Sequence, residues 1–226
     1  MQQIISASRR TDIPAFHSDW FLHRLAEGFC NVAHPYTKKL FRVPLAPGDV
    51  GAIVFWSKNY APLLPKLAAV ERTSKNLFFH FTITANRDLE LRGPDFRDAV
   101  RDYLFIAMRY SPDHVIWRFD PICITDKLSF ETHEERFVAI AEQLRGHVSS
   151  CIISFAHPYR KMVNNLKKHT SHALVPVSPD EQRVCTDRLA SRAERYGIRL
   201  FACCNDHLLS DRIGKARCID GAKLSL

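Results

Sequence analysis

The chain has 226 residues, 46% of them hydrophobic, enough to bury one full core, and reads as a single domain over residues 1–226. No apolar stretch of about 18 residues occurs and Met1-Gln2-Gln3 runs straight into a strand-like segment, so neither a membrane partner nor a secretion signal is expected and the cytoplasm is the expected compartment. The formal charge of +8 favours an anionic partner, a small molecule or nucleic acid, while seven scattered cysteines, an odd number, argue for reduced thiols.

In chain order, strands are expected near residues 3–6, 29–33, 51–55, 77–84, 114–119, 150–155 and 198–203, with a short one at 216–219 and an extra extended segment at 40–45. Helical signals lie between them. Ser18 is placed to cap a helix carrying Phe21, Leu22 and Leu25 that stops at Gly28, and a second helix is expected over 62–70. Phe96, Val100, Tyr103, Leu104 and Met108 recur at helical spacing, as do Phe137, Ile140, Ala141 and Leu144 ahead of Gly146. Ser178-Pro179-Asp180-Glu181 combines an N-cap hydroxyl, a proline at the first helical position and a glutamate able to bond back to the cap. Seven or eight strands spaced by helices define an α/β chain, and at this length a (β/α) TIM-like barrel of parallel strands, closed or nearly closed, is more economical than an open sheet. With eight glycines and no glycine-rich turn after a strand, a dinucleotide fold and a phosphate loop are ruled out.

Each of several strands is followed at once by polar residues, and in a parallel sheet such strand ends lie on one face. After the first strand come Ser6, Ser8, Arg9, Arg10 and Asp12; an arginine fork suits carboxylate or phosphate, and Asp12 either fixes that arginine or coordinates a ligand. Lys58 and Asn59 follow the strand at 51–55, Asn59 reading equally as an N-cap. Arg118 and Asp120 stand two residues apart, on one side of a strand, as substrate clamp and general base or as an ion pair filling the interior. Alternation sets His80, Thr82 and Thr84 opposite Phe79, Phe81 and Ile83, so His80 is either a proton carrier or a hydrogen-bonded structural residue. Ser154, His157, Tyr159 and Lys161 offer hydrogen bonds past the 150–155 strand without a serine-hydrolase elbow, which points to binding. The candidate catalytic set is therefore Arg9, Asp12, His80, Arg118 and Asp120. Spacing assigns no metal ligands: Cys203 and Cys204 are adjacent, and Cys218 lies too far on for a CxxC pair.

Ser6 to Phe16, Ala52 to Asn59, Val115 to Pro121, Ile152 to Phe155 and Cys218-Ile219-Asp220-Gly221 resemble blocks of a bacterial family of unknown function. Longer members of that family end in three closely spaced cysteines like those of radical S-adenosylmethionine enzymes. The resemblance implies a substrate-binding barrel, with S-adenosylmethionine and a [4Fe–4S] cluster as cofactors and a nucleotide or nucleic acid as the preferred substrate class. The family's C-terminal cysteine segment has no counterpart up to Leu226, and Cys203, Cys204 and Cys218 are not expected to replace it. On this reading the cluster is missing from this chain or comes from a partner protein. The alternative is a cluster-free barrel, either a metal-assisted hydrolase or lyase or a module that binds an anionic ligand.

Overall fold

The computed structural model describes residues 2–7, 10–91 and 93–224. The fold is mixed α/β, with a mostly parallel sheet of seven strands. The chain divides into two compact units, residues 1–80 with 219–226, and residues 81–218.

In the first unit β1 (Gln3–Ala7) pairs in parallel with β4 (Val50–Ser57), which neighbours β5 (Leu77–Thr82). Between β1 and β4 the chain forms α1 (Ile13–Phe16), α2 (Ser18–Glu27) and an antiparallel ribbon of β2 (Phe29–Ala33) and β3 (Leu40–Pro44). Gly28 ends α2 in the left-handed conformation at φ 76°, which glycine adopts without strain. The expected cap at Ser18 takes another form: His17 is the N-cap, and the Ser18 hydroxyl bonds Pro62 O at 3.3 Å and accepts from Lys66 Nζ at 2.7 Å. After β4, α3 (Leu67–Val70) buries Leu67 and Val70. Phe55 stacks on Phe79 at 5.6 Å and meets Phe21 edge-on, so the odd-numbered side of β4 and β5 is an aromatic core. The opposite side carries Ala52, Val54 and Phe78, covered by Leu224 of α8 (Gly221–Leu224). Burial on both faces explains why these strands read as near-continuous apolar runs.

In the second unit β6 (Val115–Ile122), β7 (Ser150–Phe155), β8 (Arg199–Ala202) and β9 (Ile213–Lys215) are parallel neighbours in that order. In sequence α4 (Phe96–Arg109) precedes β6, α5 (Phe130–Gln143) lies between β6 and β7, and α6 (Arg160–His169) and α7 (Pro179–Glu194) lie between β7 and β8. Trp117 and Phe119 point to one side of β6, where both pack on Phe137 of α5, and Arg118 and Asp120 point to the other. The reciprocal cap at Ser178 forms as read: Ser178 Oγ accepts from Glu181 N–H, and Glu181 Oε2 accepts from Ser178 N–H at 2.8 Å.

Three expectations change. The segment 29–33 does not join the parallel sheet but pairs with 40–44, because alternation marks an extended segment without naming its partner. Among the described residues the strands do not close into a barrel. The last short strand lies at 213–215 rather than 216–219, and there Gly214 lies against Phe201: a Cβ on it would stand 2.8 Å from the Phe201 ring.

A charged cluster joins α5 to α7. Glu134, nearly buried, accepts from Arg192 Nε at 2.7 Å and Arg188 Nη2 at 2.5 Å. Burial pushes its carboxyl up, but the two arginines outweigh that and hold it below the ordinary value of 4.5. A depressed folded-state pKa contributes stability above the unfolded value that is lost as pH falls through the folded one. Because both arginines are partly exposed, Glu134→Gln is expected to cost about 1–2 kcal/mol at neutral pH in chemical denaturation. The gap to the parent protein should narrow below about pH 4.5. A gap that stays constant down to pH 3 would show that the ionised form has no advantage in the fold.

Candidate functional site

In the first unit, Asp12 and Ser57 are tied together. Asp12 Oδ1 caps α1 by accepting from Ala15 N–H at 3.0 Å, and Oδ2 accepts from the Ser57 hydroxyl at 2.9 Å. Ser57 Oγ in turn accepts from Asn59 N–H, and Asn59 Oδ1 accepts from Ala61 N–H at 3.1 Å. Asp12 thus caps α1 just past β1, a role other than the arginine partner read from the sequence, and Asn59 closes a turn onto Ala61 N–H just past β4 rather than capping a helix. Arg10 donates to Ala33 O on the β2–β3 ribbon rather than to Asp12. Ser6 and Lys58 are half-buried, and Ser8 and Arg9 lie outside the described residues. His80 is buried, its ring stacked on Trp56 with centroids 5.1 Å apart and planes within 2°. It faces away from Phe79, as alternation requires.

In the second unit, Arg118 and Asp120 form a bidentate pair, Nε to Oδ1 at 3.1 Å and Nη2 to Oδ2 at 2.5 Å, with side chains only 11% and 12% exposed. Burial alone disfavours the guanidinium charge, but Asp120 and the Cys203 thiol beside it hold the Arg118 pKa above its usual range. The Nη1 nitrogen is buried without a hydrogen-bond partner among the described residues. Sheet register explains the meeting: Arg118 is level with Ile152, and Ile152 with Phe201, so Cys203 emerges two residues further along the same face of β8. Cys203 Sγ lies 3.6 Å from Cys204 Sγ and 3.9 Å from Cys218 Sγ. Sequence distance sets Cys218 apart from the adjacent Cys203 and Cys204. They do not fit a [4Fe–4S] cluster as arranged, because a cubane puts each cysteine on a different iron with the cluster between the sulfurs, and these sulfurs touch. Among the described residues no group of three or more His, Cys, Asp or Glu forms a metal site.

Beyond the ends of β6, β7 and β8 lies a cavity of 590 Å³, within the range of small-molecule sites. Its apolar wall includes Ile122, Phe155, Val163 and Leu166, and its polar groups are His157, Lys167, His172, Gln182, Asn205 and His207. Of the sequence candidates only His157 lines it. Ser154 is half-buried on β7, while Tyr159 and Lys161 are exposed at the start of α6. The polar groups are held in place. Gln182 Nε2 donates to Val177 O at 2.9 Å, so its Oε1 accepts from His207 Nε2 at 2.8 Å. That bond puts the proton of a neutral His207 on Nε2 and leaves Nδ1 as an acceptor. Asn205 Oδ1 accepts from Phe155 N–H at 3.1 Å, and His172 Nδ1 shares a proton with Thr125 Oγ1 at 2.8 Å. One wall is α6, which carries Arg160, Lys161, Lys167, Lys168 and His169 and no acidic residue. The same pattern of polar residues after a strand occurs past Ala202, where Asn205, Asp206 and His207 follow the adjacent cysteines.

Parallel strands with helices between them, their carboxyl ends opening on a partly apolar cavity of small-molecule size, define a protein of the α/β class. The chain belongs to the family described as domain of unknown function (DUF1848), whose model matches residues 4–226. No curated protein and no solved structure matches it. Among the described residues no helix is long and apolar enough to cross a membrane.

Proposed function

We propose that this chain is an α/β enzyme that binds an anionic small molecule, with nucleotide-class metabolites foremost, in the cavity beyond β6, β7 and β8. The observation that carries the reading is the cavity itself: ligand-sized, mostly apolar, and walled on one side by a helix bearing only positive charge. An apolar wall suits a base or other ring, and Lys167 with the neighbouring histidines suits a phosphate or carboxylate. In this reading His207 moves a proton at Nδ1, Gln182 fixes its tautomer, and Asn205 holds the Phe155 backbone at the cavity edge. The radical mechanism implied by the family resemblance would need its cluster ligands from outside residues 1–226, since Cys203, Cys204 and Cys218 do not suit the cluster.

Isothermal titration of nucleoside monophosphates against the matching nucleosides tests the reading. The phosphorylated members should bind more tightly, by about tenfold or more, as one charge-assisted contact is worth about 1.5–3 kcal/mol. Lys167→Ala should erase most of that difference, and His207→Ala should lower turnover while leaving most of the affinity. Equal affinity for charged and neutral members, or an indifferent Lys167→Ala, would refute the reading.

A further inference from the structure

The cysteines beside Arg118 have no part in the cavity reading. Their meeting follows from the end of the sheet: Ala202 pairs with Lys215, Cys203 N–H bonds Ile153 O, and Ala216 N–H bonds Ala202 O, so residues 216–218 run past 202–204. This leaves Cys203 Sγ 3.9 Å from Cys218 Sγ, with all seven cysteines present as thiols. The Arg118 guanidinium lies near enough to both thiols for its charge to act on them. Burial and the neighbouring Cys203 raise the Cys218 thiol above its ordinary value, and the Arg118 charge beside it works against that rise. Cys204 and Cys218 reach solvent, and Cys203 is half-buried behind them.

We propose that Cys203 and Cys218 are a redox-active dithiol that closes reversibly to a disulfide by exchange with a low-molecular-weight disulfide. One thiolate attacks the small disulfide and releases one thiol; the second attacks the mixed disulfide and releases the other. The two cysteines lose two electrons and two protons, and the small disulfide becomes two thiols. Cys218 is the partner rather than the nearer Cys204, because a bond between adjacent residues closes a strained eight-membered ring that includes their peptide bond. Closure draws Cys203 off Arg118 and fixes the root of the segment that carries Asn205 and His207. The effect on the cavity rests on the function proposed above; the bond itself does not.

The test is oxidation of the native protein in a buffer of oxidised and reduced glutathione, followed by thiol counting and non-reducing tryptic mapping. Two of the seven thiols should be lost, with a linked pair formed by the peptide of residues 200–212 and the peptide of residues 218–223. Because Cys203 and Cys204 share the first peptide, Cys204→Ser should keep the link and Cys203→Ser or Cys218→Ser should abolish it. Reduced dithiothreitol should restore all seven thiols. A link retained in Cys203→Ser, a bond within the 200–212 peptide, or thiols that stay reduced in glutathione disulfide would each overturn the proposal. So would a bound metal ion that blocks them. These readouts count thiols and need no cavity ligand, so they stand or fall separately from the binding experiment.

Discussion

Replacing Arg118 with alanine is expected to cost about 3–5 kcal/mol of folding stability, measured by urea denaturation at neutral pH. The two side chains of the pair are only 11% and 12% exposed, so removing the arginine leaves the Asp120 carboxylate nearly buried with both of its hydrogen bonds gone. The cost comes from that unpaired charge more than from lost attraction. Changing both residues to apolar ones of similar volume, Arg118→Met with Asp120→Leu, should therefore recover much of the loss. A loss below about 1 kcal/mol for Arg118→Ala would mean that water reaches the pair and screens it like a surface salt bridge.

Trp117→Ala carries a loss of similar size for a different reason. The indole is fully buried, stacks on Phe137 at 4.6 Å and meets Phe119 edge-on, and its Nε1–H donates to Ile83 O at 2.9 Å. Truncation opens a cavity that the aromatic neighbours cannot fill and is expected to cost about 3–5 kcal/mol. Trp117→Phe keeps most of the packing but orphans the Ile83 carbonyl, so a loss of about 1–2 kcal/mol is expected. If thermal unfolding ranked the phenylalanine variant with the alanine one, the hydrogen bond rather than the packing would dominate, against the argument from burial.

What the sequence disclosed followed the range of the interactions. The reciprocal cap at Ser178 and Glu181 is legible because its parts lie three residues apart and meet whenever a helix begins there. The two-residue spacing of Arg118 and Asp120 put them on one side of a strand, and alternation separated His80 from Phe79; both follow from backbone geometry alone. The partner of β2 was not legible, since the same alternating pattern serves a ribbon and a parallel sheet. Nor was the meeting of Cys203 with Cys218, which depends on the register of β7, β8 and β9. Asp12 looked like chemistry because it stands among arginines; in the fold its two oxygens are taken by Ala15 N–H and Ser57. The cavity draws on residues from Ile122 to His207, so no local motif announced it, and only His157 had been singled out.

Amide hydrogen exchange, read by mass spectrometry with and without a saturating nucleoside monophosphate, decides whether the ligand sits in the cavity. Protection is expected in peptides covering residues 155–167, 172–182 and 205–208, where the cavity wall lies, with little change in β1 to β3. Protection confined to the loop at Arg10 to Asp12, or no protection at a concentration that saturates binding, would contradict that placement.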